Sequence, residues 1–501
     1  MLTAIQKFYA NSTILVTGAT GYLGTYFVEK LLRSCPDVKK VYLLVRKKRG
    51  RPNEDRLVEF FESPVYNALK RSNPRAFQTV EVLSGDLELE ELGLGDGDQE
   101  KVANEVNSVF HVGATINMAE TLRMSTLVNI RGTRDLLSIC ARAQHLKSFV
   151  YVSTAYSQLQ LHEIDEIIPP SAEDADNLIA IASSRDQRQL HNATLRMLEK
   201  WPNTYTYTKH LAENVVGRSQ LPTAIVRPSL IMPPYLEPES DWSSTLDWTT
   251  KLLASLNLGI IHSVHCNSKD VVDVVPVDFV VNCTLAAGWM VGTEYANSDR
   301  REEVEVFNCV SGHQNPLTWA RQEELMRGYD RTMPSIKKVL HRSTFHSTNG
   351  TLNSLVDLAF LPALYLFNTK LQLVGKSTTS VQLHQAARMF MKTAAFCTGR
   401  EWKFRDFNTQ RLWDRLEEDD RRIFNFDIKS IDWDHFYEKL TYGLRRYTLQ
   451  DDFETMGKAK LKMAALNVLH YAYFGCYLLL FLFFINVLYS KSTVRYMDVH
   501  L

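Results

Sequence analysis

An α/β fold built on a doubly wound parallel sheet is predicted by three observations. The chain opens with an apolar strand, a glycine-rich turn and a helical pattern, in that order, over "STILVTGATGYLGTYFVEKLLR". Short apolar runs then alternate with helical stretches such as "VNIRGTRDLLSICARA", the pattern of strands covered on both faces by helices. The runs end in glycine or hydroxyl residues, at the carboxyl ends of strands where such sheets hold their ligands.

The first strand, Ile14 to Val16, feeds Gly18-x-x-Gly21-x-x-Gly24, a variant of the Rossmann dinucleotide turn. Gly18 allows the tight turn, Gly21 lets backbone approach pyrophosphate, and Gly24 lets the helix pack on the strand. Phosphates then meet free N–H groups at the positive helix end. Gly18, Thr20, Gly21, Tyr22, Leu23 and Gly24 are therefore assigned to a dinucleotide. A second strand, Val41 to Val45, runs into Arg46, Lys47 and Lys48 where NAD enzymes keep a carboxylate for the ribose. Arg46 and Lys48 make NADPH the expected cofactor; a solvated basic loop or a nuclear-localisation tract is the alternative. "TVEVLSGDL" brings Asp86 and Leu87 to a strand end, with Asp86 within reach of an adenine. "VNSVFHVGATIN" ends in Gly113, Ala114 and Thr115, and "LKSFVYVSTAYS" ends in Ser153 and Thr154. Pro228 and Ser229, after Arg227 and the strand "TAIV", read either as nicotinamide contacts or as a plain strand end.

About fifty residues beyond Ser153 and Thr154, "NTYTYTKHLAENVV" carries Tyr205, Tyr207 and Lys209 among good helix formers. Residues four apart share a helix face and residues two apart do not, so Tyr205 converges with Lys209 and Tyr207 packs elsewhere. With Ser153 and Thr154 this pair resembles the Ser/Thr–Tyr–Lys set of the extended short-chain dehydrogenase/reductases. The resemblance implies action on a carbonyl, with Tyr205 the general acid, Lys209 lowering its pKa from about 10, and Thr154, less so Ser153, hydrogen-bonding the oxygen.

A chain of 501 residues is too long for one compact core and implies two globular units plus appendages. Its 57 basic and 57 acidic side chains balance, which speaks against a nucleic-acid partner. Seven scattered cysteines without a Cys-x-x-Cys pair or a Cys/His cluster argue against a disulfide framework and a structural zinc, and no metal site is expected. A reducing, cytosol-facing compartment follows. The N-terminal "MLTAIQKFYANSTILVTG" has no long apolar core, so no cleaved signal is expected.

From Ala464 to Tyr489 there is no Asp, Glu, Lys or Arg, a run longer than the ~20 apolar residues that cross a bilayer. Arg445, Arg446, Lys458, Lys460 and Lys462 precede it and outnumber Lys491 and Arg495 beyond it, which places the large N-terminal part in the cytosol. The final "MDVHL" matches no usual retention or peroxisomal signal. The endoplasmic reticulum membrane is the expected location, with the peroxisomal membrane or lipid droplets as alternatives. A second apolar stretch, "LNSLVDLAFLPALYLFN" from Leu352 to Asn368, is short for a span and contains Asp357 and Pro362. Re-entrant hairpin, interfacial helix, lid and buried core helix all remain open for it.

In the extended short-chain dehydrogenase/reductases the lysine also holds the nicotinamide ribose. A closer resemblance, over most of the chain, is to the fatty acyl-CoA reductases. It rests on "TGATGYLG", "LLVRKKRG", "VSTAYS", "YTYTKHLAE", "AIVRPS", "DVVPVDFVVN", "FNCVSGHQNPLTW" and the C-terminal stretch from "EWKFRDFN" to "YGLRRY". The resemblance implies NADPH-dependent, two-step reduction of a long-chain acyl-CoA to a primary alcohol through an aldehyde. It also implies an NADP-binding reductase domain over 1–330, an apolar connector over 331–375, a helical C-terminal domain over 376–455 and a transmembrane helix over 463–489. Long-chain acyl-CoA and the lipid bilayer are the expected partners. Alternatives are a reductase of a sterol or other lipid ketone, and a membrane-bound relative without turnover.

The sequence departs from that family in several places. Asn117 and Ala119 in "GATINMAE" stand where an Arg and an Asp are usual. A glycine-rich stretch is replaced by "ESDWSSTLDWTTKLLASLNLG". In "AFLPALYLFN", Ala359 takes a usual His position and Phe367-Asn368 fall near a usual Asp.

Overall fold

In the computed structural model the described residues are 1–46, 53–171, 173–184, 186–239, 248–297, 304–373 and 379–498. Seven parallel strands form the central sheet: β1 (Thr13–Thr17), β2 (Lys40–Val45), β3 (Val80–Ser84), β4 (Ser108–His111), β5 (Ser148–Val152), β6 (Thr223–Pro228) and β7 (Glu305–Cys309). Their spatial order is β7-β6-β5-β4-β1-β2-β3. The first and fourth strands lie side by side, with Thr17 opposite His111, so the chain leaves the sheet in opposite directions at this point. A crevice opens beyond the carboxyl ends there. β1, β5 and β6 are buried along their whole length, because helices cover both faces.

Among those helices, α1 (Tyr22–Ser34), α2 (Gly132–Cys140), α3 (Thr204–Gly217) and α4 (Val277–Asn297) matter most to the site. Beyond β7 come α5 (Gly350–Leu373), α6 (Thr379–Thr398), α7 (Phe407–Asp414), α8 (Trp433–Gly443) and the long α9 (Met456–Asp498).

The helices of residues 403–451 sit directly on the sheet layer. Leu412, Phe424, Trp433, Tyr437 and Leu440 share one continuous apolar cluster with Ile14, Val16, Phe110 and Phe279. Polar ties reinforce that packing. Buried Glu166 accepts from the Asn308 amide at 2.8 Å and the Thr409 hydroxyl at 2.8 Å, so one carboxylate joins a loop, β7 and α7. Lys403–Phe404 adds a short parallel pairing to Glu163–Ile164. Arg445, counted in the sequence among the flanking positive charges, is instead buried. It donates to the Asp452 carbonyl at 2.9 Å and the Thr455 hydroxyl at 2.7 Å, and pairs with Asp451.

Candidate active site

The glycine turn occupies the crevice between β1 and β4. Gly18 has φ +70°, and a Cβ there would lie 2.5 Å from the Gly113 Cα. The two loops approach too closely for any side chain, and the left-handed backbone favours glycine independently. A Cβ on Gly24 would lie 2.7 Å from the Ala19 Cα, so α1 lies tight against the turn that precedes it. Gly113 is held in the same way, with Leu87 Cδ1 2.8 Å from where its Cβ would stand. Gly21 caps α1 without a side chain, and the Thr25 amide donates to the Gly21 carbonyl at 2.9 Å. Thr20 and Gly21 are exposed above the turn, Tyr22 and Leu23 half-buried behind it. This glycine turn at a helix start fits the pyrophosphate of a dinucleotide.

Arg46 follows β2 directly and is exposed, and its carbonyl accepts from Arg56. Lys47 and Lys48 lie outside the described residues. Asp86 stands two residues past β3, half-buried, and accepts from the Glu88 amide at 3.1 Å. Thr115 is clamped by Asn129, whose side chain accepts from the Thr115 amide at 2.9 Å and donates to its carbonyl at 3.1 Å. Asn129 also donates to the Thr208 hydroxyl at 3.0 Å, linking this loop to the residue before Lys209. It sits in a π-helical turn, Thr126–Arg131, a local widening often found at functional sites.

A hydrogen-bonded relay, not foreseen from sequence, locks the ends of β1 and β4. Thr133 donates to the Asn129 carbonyl at 2.7 Å, so His111 Nε2 must donate to Thr133 at 2.9 Å. His111 Nδ1 then accepts from the Thr17 hydroxyl at 2.7 Å. Burial, with the nearby Lys209 charge second, pushes His111 down to about 3 and keeps the ring neutral.

Helix α3 carries the reactive candidates. Asn203 caps it by accepting from the Thr206 amide at 2.9 Å. Tyr205, Lys209 and Glu213 follow at four-residue spacing on one face. Lys209 donates to the Val152 carbonyl at the end of β5 at 2.7 Å, and its Nζ lies 4.5 Å from the Tyr151 ring centroid. Tyr205 is half-buried and hydrogen-bonds Thr154. Tyr207 points away, as expected, and donates to Glu173 at 2.7 Å.

The electrostatics differ from the expectation that Lys209 acidifies Tyr205. Burial pushes the phenol above its ordinary value, against the lowering effect of the Thr154 hydrogen bond. Burial also drives Lys209 down to about 7, against the pull of Glu213. Both shifts have one cause: the pocket disfavours the charged form of either group.

Glu213 was missed in the sequence, although it follows Lys209 by one helical turn. It pairs with Arg227 at 2.8 Å, both side chains fully buried. Burial alone would raise its pKa, but the Arg227 charge and hydrogen bonds from Arg227, Ser153 and Ser157 hold it below the usual range. One sequence assignment changes as a result, and the role of Arg227 is defined. Ser153 donates to Glu213 at 2.5 Å and is not available to a substrate carbonyl. Arg227 is spent on Glu213 and on the carbonyls of Asp165 (2.9 Å) and Ile167 (2.7 Å), so its guanidinium is structural. Pro228 closes β6, and the Ser229 amide donates to the Cys309 carbonyl at 3.1 Å.

The wall beside Tyr205 and Thr154 comes from the C-terminal part. Tyr156 packs edge-on against Phe396, Trp402 and Phe404, with centroids 5.6–6.4 Å apart. Cys397 joins the same cluster, and its thiol is near enough to Tyr205 to raise that phenol slightly further. Arg400 lies 3.7 Å over the Trp402 ring and donates to the Leu159 carbonyl at 2.5 Å. Only the aromatic richness of "FCTGREWKFRDF" hinted at this wall.

Two family models described as male sterility protein match the chain: an NAD-binding one over residues 16–284 and a second over residues 358–451. Fatty acyl-CoA reductase 1 of Xenopus laevis is 32% identical over 481 residues, covering 94% of this chain and 91% of its own. Fatty acyl-CoA reductase 2 of Homo sapiens is 29% identical over 477 residues, with the same coverage. Among solved structures, the terminal R domain from the myxalamid PKS-NRPS biosynthetic pathway matches with a TM-score of 0.58 at 18% identity, over 88% of this chain and 92% of that one. The reductase (R) domain of a nonribosomal peptide synthetase from Mycobacterium tuberculosis matches with a TM-score of 0.57 at 19% identity, over 89% and 96%. At those identities the solved structures establish the fold. The crevice takes a nicotinamide cofactor, and the chain belongs to the fatty acyl-CoA reductase family of oxidoreductases.

Proposed function

We propose that this chain reduces a long-chain fatty acyl-CoA to the primary alcohol with NADPH, through an aldehyde that stays bound. The observation that carries the reading is that Thr154, hydrogen-bonded to Tyr205, and Lys209, bonded to the Val152 carbonyl, both stand at the carboxyl end of β5. Exposed Arg46 at the end of β2, followed in the sequence by Lys47 and Lys48 where NAD enzymes keep a carboxylate, supports NADPH over NADH.

When bound, NADPH supplies hydride to the carbonyl carbon. Thr154 and Tyr205 hold the thioester oxygen through their hydroxyls, and Tyr205 passes its proton to that oxygen as charge develops. The hemithioacetal then breaks its C–S bond, its hydroxyl proton goes to sulfur, and CoA leaves as the thiol. Tyr205 regains a proton from solvent by way of Lys209, and the aldehyde oxygen then rests on the same two hydroxyls for the second reduction. Lys209, with one N–H fixed on Val152, keeps its other protons for the phenolate and the cofactor ribose. The aromatic wall of Tyr156, Phe396, Trp402 and Phe404 excludes water and packs against an oily substrate.

The charge-free run of α9, exposed along most of its length, supports a membrane anchor with the reductase body on the cytosolic side, at the endoplasmic reticulum. The test is product analysis on the purified full chain with NADPH and palmitoyl-CoA. Hexadecanol forming with two NADPH oxidised per molecule is the expected result. Accumulation of free hexadecanal with one NADPH oxidised, or oxidation only with sterol substrates, overturns the proposal.

A further inference from the structure

Arg400 is a half-buried cation at the edge of the aromatic wall. Among the described residues its guanidinium makes one hydrogen bond, to the Leu159 carbonyl at 2.5 Å, and no ion pair. Burial lowers its pKa, opposed among those residues only by the Cys397 thiol, so no carboxylate stands near it. Glu401, next in sequence, is engaged elsewhere and accepts from the Val271 amide at 3.1 Å. A desolvated charge without a counter-charge is costly, and an anionic ligand is the partner that would offset it.

The turn that carries Arg400 is fixed. α6 ends at Thr398, whose hydroxyl donates to the His265 carbonyl at 2.6 Å. The Gly399 amide donates to the Ala395 carbonyl at 2.8 Å, and the Trp402 indole to the Cys397 carbonyl at 2.9 Å. A cation near a helix C-terminus is favoured by the helix dipole alone. This guanidinium instead reaches across to Leu159 and stacks 3.7 Å over Trp402, while Trp402 serves the helix end. Stacking leaves the rest of its planar edge free, the geometry that takes phosphate oxygens in pairs.

Position decides which anion it meets. Trp402 packs on Tyr156, two residues beyond Thr154, with ring centroids 5.9 Å apart. Cys397 is near enough to interact electrostatically with both Tyr205 and Arg400. The glycine turn and Arg46 follow β1 and β2, whereas Leu159 lies beyond β5, with β4 between the two groups in the sheet. Arg400 is therefore on the substrate side of the crevice, away from the dinucleotide phosphates. An acyl-CoA carries an apolar arm and a phosphate-bearing arm on opposite sides of its reacting carbonyl. The aromatic wall suits the first arm and the cation at its edge suits the second. We propose that Arg400 is a substrate-binding residue that holds the phosphates of the CoA moiety. The inference rests on the acyl-CoA reading and deepens it. An aldehyde has no phosphate, so Arg400 serves the first reduction and is idle in the second.

The test uses the purified full chain in detergent micelles with three variants, Arg400→Leu, Arg400→Gln and Arg400→Lys. Glutamine can still donate to Leu159 but carries no charge; lysine keeps the charge. Binding of free CoA, read by titration calorimetry, requires no turnover. Arg400→Leu and Arg400→Gln should weaken CoA by about tenfold or more, and Arg400→Lys by much less. The same two variants should raise the KM for palmitoyl-CoA by a similar factor. The KM for the phosphate-free N-acetylcysteamine thioester of palmitate, the KM for hexadecanal and the affinity for NADPH should all stay unchanged. Wild type that binds no CoA, or Arg400→Gln that binds it as well as wild type, overturns the proposal. Losses spread equally over palmitoyl-CoA, the phosphate-free thioester and hexadecanal would mark Arg400 as structural and overturn it too. CoA binding that depends on Arg400, in a wild type that makes no alcohol, overturns the reductase reading and leaves the subsite standing. Should the leucine variant misfold, the glutamine variant, which keeps the Leu159 bond, decides.

Discussion

Replacing Lys209 with methionine should make the cofactor-free protein more stable at neutral pH while destroying its activity. The native state holds this lysine at about 7 instead of 10.5, because the ammonium is desolvated beneath Tyr151 and the end of β5. At ~1.4 kcal/mol per pH unit, keeping it charged costs the native state ~5 kcal/mol below pH 7. The sign follows from proton counting: between pH 7 and 10.5 the unfolded chain binds the proton that the native chain has lost. Wild-type stability therefore rises with pH across that window, and the penalty is fully present below it. Methionine removes the penalty but leaves the Val152 carbonyl without its donor, worth ~1–3 kcal/mol. Below pH 7 the variant gains ~2–4 kcal/mol net. Near pH 10.5 only the lost hydrogen bond remains, so the variant becomes the weaker protein. The assay is urea unfolding of both proteins in detergent micelles without cofactor, from pH 6.5 to 10. The stability difference should shrink by ~1.4 kcal/mol per pH unit above 7 and then change sign. A difference that stays constant with pH would show that Lys209 is not charge-frustrated in the empty site, and the reasoning would fail.

Three further outcomes follow from the same geometry. Tyr205→Phe should lower alcohol formation by ~10²–10⁴-fold while NADPH titration stays nearly unchanged; wild-type turnover in that variant would refute the acid role. Arg46→Ala should weaken NADPH by about tenfold or more through loss of a charge-assisted phosphate contact and leave NADH unaffected, read by fluorescence titration. Equal losses for both cofactors would undo the NADPH assignment. Arg227→Leu strands the Glu213 carboxylate in a fully buried position, with a cost of ~3–5 kcal/mol in chemical unfolding. Adding Glu213→Gln to it should recover most of that loss, and no recovery would mean that the pair is not the source.

Much of this was legible in the chain because local chemistry determined it. The glycine turn is a steric requirement: Gly18 touches Gly113 and Gly24 touches Ala19, and a sequence can show such demands without any partner in view. The Tyr205–Lys209 register follows from helix period alone, and Tyr207 pointing to Glu173 is its corollary. What spacing could not reveal was competition for a group. Ser153 and Thr154 are adjacent hydroxyls at a strand end, and only the fold brings Glu213 under the first and Tyr205 beside the second. The role of Arg227 was hidden for the same reason, since nothing in "AIVRPS" announces a buried carboxylate fourteen residues earlier on another element. The direction of the Tyr205 shift was misjudged because proximity in sequence suggests a charge partner, whereas burial, the larger effect, is a property of the assembled core.

That burial also explains why the C-terminal helices are inseparable from the chemistry. A sheet with its crevice alone would leave Tyr205 and Thr154 open to water, where an ordinary phenol pKa would prevail. The wall of Phe396, Trp402 and Phe404, laid against Tyr156, is the side of the pocket that the sheet does not supply. It is held there by the Lys403–Phe404 pairing to Glu163–Ile164 and by Glu166 reaching Thr409. The desolvation that raises the Tyr205 phenol thus depends on the same apolar surface that an acyl chain would need. Cofactor and substrate are the natural partners to restore the Lys209 charge, so the cost seen in the empty site is the counterpart of electrostatic strength in the filled one.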